Sequence, residues 1–259
     1  MEILPPIPSQ QQHTSLASLS SPPQTLSQND AHVLSALFSA DAAPASTTIT
    51  TVPIDRALPP LPHIPTSTFA ELQKAELAAI APLSVPNPTR GDVEVAVGQL
   101  TELIEREERF AAAWADRAMA RRLAVEGRGE GGLWGESGSG VLDAVFADLR
   151  KAIELATPAG GGKAAVSPFQ AKVLAAAHAH RADLYLRAAK AAGETGEVGK
   201  GCLQGLGKER LEEMASREFE RAAWFGDVVA REMAVRTNPY AKMCGAIVRK
   251  ALREEMGGG

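Results

Sequence analysis

The chain has 259 residues, 27 Lys and Arg against 31 Asp and Glu, and a formal net charge of −4, which suits one or two domains and gives no positive excess to neutralise phosphates. General binding to nucleic acid or to an anionic membrane is therefore not expected. With 45% apolar residues but only 5% aromatics, the Ala-rich composition favours helix packed on helix over an aromatic-rich sheet, and the expected fold class is all-α.

Proline and glycine divide the sequence. Fourteen of the seventeen prolines precede residue 89, and all 23 glycines lie at Gly91 or later. Residues 1–67, rich in Pro, Ser and Thr, lack the apolar surface needed to offset ordering entropy and read as a mostly disordered tail. One short helix interrupts it at 31–38, with Asn29 and Asp30 as caps and Val33, Leu34, Leu37 and Phe38 on one face. Such an island either docks on a partner or folds back on its own domain.

From 68 to 255 the pattern is helical. Helices are expected over 69–81, 91–106, 111–124, 141–156, 168–192, 208–225, 228–237 and 239–255, the first ending at the cluster Pro82, Pro86 and Pro88. Gly-rich insertions at 127–140, 157–167 and 193–207 read as flexible loops.

Helix pairs call for a test of internal repetition, because each pair in a solenoid buries its face only against its neighbours. A tetratricopeptide-like spacing recurs in the second helix of each pair: Ala96, Leu100 and Leu103, then Val145, Leu149 and Ala152, then Ala215, Phe219 and Ala222. The first helix of a pair shows Trp114 with Ala118, and His178 with Ala182. The copies lie 49 and 70 residues apart rather than about 34, and the surplus is assigned to the Gly-rich insertions, since long surface loops cost little. The expectation is a helical solenoid of about three repeats with a C-terminal capping helix.

The segments Trp114 to Leu123, Asp148-Leu149-Arg150-Lys151-Ala152 and Arg217 to Ala223, followed by Asn238-Pro239-Tyr240-Ala241 and Cys244, resemble the tetratricopeptide repeat protein 36 family. The resemblance covers roughly 69–252 together with the 31–38 island. It implies a non-enzymatic adapter or cochaperone acting through protein-protein interaction. The family is described as binding Hsp70 and as linked to tyrosine metabolism by protecting a client enzyme of tyrosine catabolism from degradation.

By repeat position, the groove of such a solenoid is lined by Asp116, Met119 and Arg122, and by His180, Asp183 and Arg187. Repeat proteins that clamp a chaperone's acidic C-terminus use Lys, Arg and Asn there. Here Asp116 would repel a carboxylate, and Ala176 and His180 stand where Lys and Arg are needed. Any Hsp70 contact is expected to use another mode.

Other chemistry finds no support. The Gly160 to Lys163 run lacks a preceding strand and a following Ser or Thr, so it is not a phosphate loop. His178 and His180 point to different helix faces. No G-x-S-x-G elbow occurs. Cys202 and Cys244 have no partner at zinc-site spacing and fit a reducing compartment. No catalytic residue, cofactor or metal is expected, and in the absence of a signal-peptide pattern or a long apolar run the address reads as cytoplasmic, with the nucleus second. The competing reading is a structural subunit of a larger helical assembly, docked through the 31–38 helix.

Overall fold

The computed structural model describes residues 51–126, 132–134, 138–160, 164–196, 198, 201–238, 243–245, 247–248, 250 and 253–254. Its helices are α1 (Thr66–Ile80), α2 (Arg90–Arg106), α3 (Ala111–Glu126), α4 (Ser139–Ala156), α5 (Pro168–Thr195), α6 (Lys208–Trp224) and α7 (Val228–Thr237). Each falls where the apolar periodicity places one. Of the helix expected over 239–255, the described residues are helical. The 31–38 island lies outside the described residues.

Local chemistry sets the helix ends. Thr89 and Asp92 form a capping box at α2, and Ser167 and Gln170 form another at α5, where Pro168 supplies a preset first turn. Gln170 Nε2 also donates to Ala156 O at 3.0 Å, tying the start of α5 to the end of α4. Between α6 and α7 the chain reverses at Gly226, whose φ of 96° suits a residue without a side chain, and Asp227 caps α7.

Consecutive helices pack against each other from α1 to α7, and α1 also touches α3, which touches α5. Helices α5 and α6 run antiparallel, His178 meeting Glu218 while Gly193 lies beside Lys208 at the start of α6, and Arg117 of α3 bridges Thr101 of α2 and Asp148 of α4. The contacts α1–α3 and α3–α5 set the odd-numbered helices in one row, to which α2, α4 and α6 pack as their neighbours in the chain. All nine positions of the three repeat copies are buried, Ala96, Leu100, Val145, Leu149, Ala152, Ala215 and Ala222 completely and Leu103 and Phe219 nearly so. Ala118 is also fully buried, while Trp114 is half-buried. Among the described residues there is no strand beyond an isolated parallel bridge between Ile54 and Val166.

The tail boundary needs correction. Residues 51–65, assigned above to the disordered segment, are packed as a strap with turns at 55–58 and 61–64. Val52 N donates to Trp224 O at 2.9 Å, Asp55 N to Val166 O at 2.9 Å, and Val166 N to Pro53 O at 3.0 Å. Further on, Ser167 Oγ donates to Pro60 O at 2.7 Å and His63 Nε2 to Arg109 O at 2.8 Å. The strap therefore crosses three successive helix connections, those after α6, α4 and α2, before entering α1. Proline content misled here because a strap needs no helical propensity, only outward prolines and a few inward apolar side chains; Leu61 is fully buried, with Ile64 and Val52 close behind.

The insertions are also less loop-like than composition implies. Leu133, Val166 and Leu203 are each buried and anchor their Gly-rich segments to the core. Nor does all the surplus length sit in loops. Helix α5 has 28 residues against 16 in α3 and begins ten residues before His178, where α3 begins three before Trp114. About two extra turns are thus helical, since residues 169–192 contain neither Gly nor Pro to stop them.

Candidate partner-binding face

The row of α1, α3 and α5 carries two polar groups. Along α5, Lys172, Ala176, His180, Asp183 and Arg187 recur at three and four and share one face. Asp183 Oδ2 accepts from Arg122 Nη1 of α3 at 2.8 Å and from Arg187 Nε at 2.9 Å. Four of the six groove residues expected from the sequence, Arg122, His180, Asp183 and Arg187, are thereby brought together. Burial, and next the Arg122 charge, push the His180 imidazole down to about 4, Asp183 only partly offsetting them, so it is neutral near pH 7.

Asp116 belongs to a second group. Glu76 of α1 lies beside it, and Lys172 of α5 acts on both. Burial is the larger cause, and the adjacent Asp116 the next, that raises the Glu76 carboxyl to about 8. Burial raises Asp116 as well, against the pull of Glu76 and Lys172. Glu76 is only 9% exposed, and the buried Asp116 Oδ2 has no hydrogen-bond partner. Met119, the sixth expected residue, is half-buried.

Behind this face lie two buried ion networks. Arg117 donates through Nε to Asp148 Oδ2 at 3.0 Å and through Nη2 to Oδ1 at 2.8 Å, and Arg121 Nη1 adds a bond to Oδ2 at 2.6 Å. The Arg117 guanidinium also sits 4.8 Å from the Trp114 ring centre. In the next pair, Glu218 receives His178 Nδ1 at 2.7 Å, Arg181 Nη2 at 2.6 Å and Arg221 Nη1 at 2.9 Å. Burial pushes the Glu218 carboxyl up, but His178 and Arg181 outweigh it and hold it below the usual range. His178 is buried in this network and stacked on Phe225 with ring centres 6.0 Å apart.

The two networks occupy equivalent repeat positions. Arg117 is three residues after Trp114, as Arg181 is after His178; Asp148 immediately precedes Leu149, as Glu218 precedes Phe219. The same cation-to-carboxylate link joins front and rear helix in both copies. Glu76 is not among the residues the sequence singles out, and Asp148 and Glu218 stand there only within motif runs, yet each has a visible signal: an acid inside an apolar stripe, as in Leu72, Glu76 and Ala79.

In the C-terminal motif, Asn238 ends α7, Pro239, Tyr240 and Ala241 lie outside the described residues, and Cys244 is half-buried. Cys202 is exposed at the surface, and partial desolvation of its thiol, with the neighbouring Asp143, pushes it up to about 11. Among the described residues no group of three or more His, Cys, Asp or Glu could hold a metal ion, and no helix is long and apolar enough to cross a membrane.

No protein-family model and no solved structure matches the chain. It is similar to the L-tyrosine degradation gene cluster protein hmgX of Aspergillus fumigatus, with 38% identity over 247 residues that cover 90% of this chain and 94% of that protein.

Proposed function

The chain belongs to the family of this hmgX protein, and from that premise we propose that it is a non-enzymatic tetratricopeptide-type adapter serving tyrosine degradation. Its partners in this reading are an enzyme of tyrosine catabolism as client and an Hsp70 chaperone, met in the cytoplasm. The observation that carries the architecture is the repeated link between front and rear helices, Arg117 with Asp148 and Arg181 with Glu218, set on the same repeat positions in two successive pairs. The row of α1, α3 and α5 supplies the docking face.

The chaperone contact in this reading does not use a carboxylate clamp. Asp116 stands beside Glu76, and the third helix of the row offers a neutral His180 beside an Arg122–Asp183–Arg187 cluster whose charges already meet one another. The resemblance to the tetratricopeptide repeat protein 36 family and the name of the hmgX relative, carried by overlapping stretches of the chain, point to the same metabolic setting.

The test is affinity purification of the intact chain from its native cell. Recovery of a tyrosine-degrading enzyme together with Hsp70 is expected. A chain that turns over a tyrosine-pathway intermediate unaided, or that recovers neither protein, contradicts the proposal.

A further inference from the structure

Among the described residues of the seven helices, large apolar side chains are exposed only in the first two and the last. At the head of the series, Leu77 lies in the last turn of α1 and Val95 in the second turn of α2, with Val85 exposed in the connection between them. At the tail, Val228, Val229 and Val235 of α7 are exposed. Helices α3 to α6 each have a helix on either side in the packing order, which the end helices lack.

Helix α7 buries its small residues and exposes its large ones. Ala230, Ala234 and Thr237 are buried, and by helical spacing the three valines share the opposite side. An amphipathic helix that finishes a fold has the reverse arrangement. Both surfaces are held in place. Ile80 and Leu83 pack against the core beside the head residues, and Asp227 Oδ1 accepts from Ala230 N at 2.9 Å at the start of α7.

Charge distinguishes the two ends. Residues 66–106 contain six acids and three bases, and residues 228–255 contain six bases and three acids. Unlike ends therefore attract, while head on head or tail on tail sets like charge against like.

We propose that the outer face of α7 in one copy of this chain docks on the head of a second copy, at Leu77, Val85 and Val95. The contact extends the packing rule of the helix series, in which each pair buries a face on the next and the end pairs are left without a neighbour. It is heterologous: every copy in a pair keeps one free head or one free tail, so assembly continues past the dimer into rings or open chains. With few large apolar side chains on each side the contact is weak, populated at high protein concentration and absent in dilute solution. It uses the ends and leaves the row of α1, α3 and α5 free.

The experiment is sedimentation velocity of the intact chain over a rising concentration series. The tail variant is Val228→Gln with Val229→Gln, and the head variant is Leu77→Gln with Val95→Gln. All four positions are exposed and glutamine suits a helix, so both variants are expected to keep the wild-type thermal midpoint in dilute solution. The wild-type chain is expected to grow past a dimer as concentration rises, and each variant alone is expected to stay monomeric. An equimolar mixture of the two is expected to form a dimer and stop there, because the head variant still offers a tail and the tail variant still offers a head. A wild-type chain that is monomeric at every concentration, or a mixture that forms no dimer, overturns the proposal. Association that ends at a dimer and is lost only in the tail variant is tail on tail, and overturns it equally.

Discussion

Arg117 and Asp148 form a buried two-point ion pair between α3 and α4, with side chains only 9% and 2% exposed. The Asp148 carboxylate also takes the partly exposed Arg121, but its removal strands the Arg117 guanidinium away from water. Asp148→Ala is expected to destabilise the chain by about 3–5 kcal/mol, the usual result of breaking a buried pair from one side. Urea denaturation of the intact chain checks this, as a fall in midpoint.

The strap is expected to behave as core. Leu61 is fully buried in a Pro-rich segment, and Leu61→Ala is expected to cost about 2–5 kcal/mol. By contrast, Val228→Ser, at a position 64% exposed, is expected to shift stability by no more than about 0.5 kcal/mol. Thermal midpoints of the two variants side by side make the comparison.

The repeat knob predicts a third difference. Phe219 is 6% exposed between the fully buried Ala215 and Ala222. Truncation by Phe219→Ala is expected to cost about 3–5 kcal/mol through the cavity it leaves, and Ala215→Leu about 1–3 kcal/mol through overpacking of the α5–α6 contact. Both are read from chemical denaturation.

Glu218 sets an acid limit. Its carboxyl, carried upward by burial, is brought below the ordinary 4.5 by His178 and Arg181, so the folded state releases its proton more readily than the unfolded chain. The resulting stability is present above pH 4.5 and is lost as pH falls below it through the folded value. Glu218→Gln is expected to lower stability at pH 7 and to weaken the acid-side decline. A midpoint titration from pH 7 to 3 measures both.

Much of this fold is legible in the sequence because helix periodicity, proline stops and Ala spacing are local signals. The nine spacing positions of the rear helices and Ala118 are buried, Trp114 only half so, and the seven described helices fall where expected. The strap was not legible, since its ties run to residues about a hundred positions or more away through single hydrogen bonds, Asp55 N to Val166 O and Ser167 Oγ to Pro60 O, which leave no periodic trace. The polar face was legible by half. Repeat position placed Arg122, His180, Asp183 and Arg187 together, but Asp116 was read as a free groove charge when its neighbour, Glu76, lies in a helix whose repeat membership the Ala spacing did not reveal.

Charge reversal on the front row tests the adapter reading most directly. Ala176 and Arg187 are exposed on the α5 face, so Ala176→Glu with Arg187→Glu alters the docking surface without touching the core, as an unchanged thermal midpoint verifies. The control is Arg90→Glu with Arg217→Glu on α2 and α6, whose side chains are 73% and 60% exposed. Affinity purification from the native cell is expected to lose the tyrosine-catabolic enzyme and Hsp70 with the front-row variant and to keep both with the control. Recovery that is indifferent to the front-row variant, or that fails only in the control, contradicts docking across α1, α3 and α5.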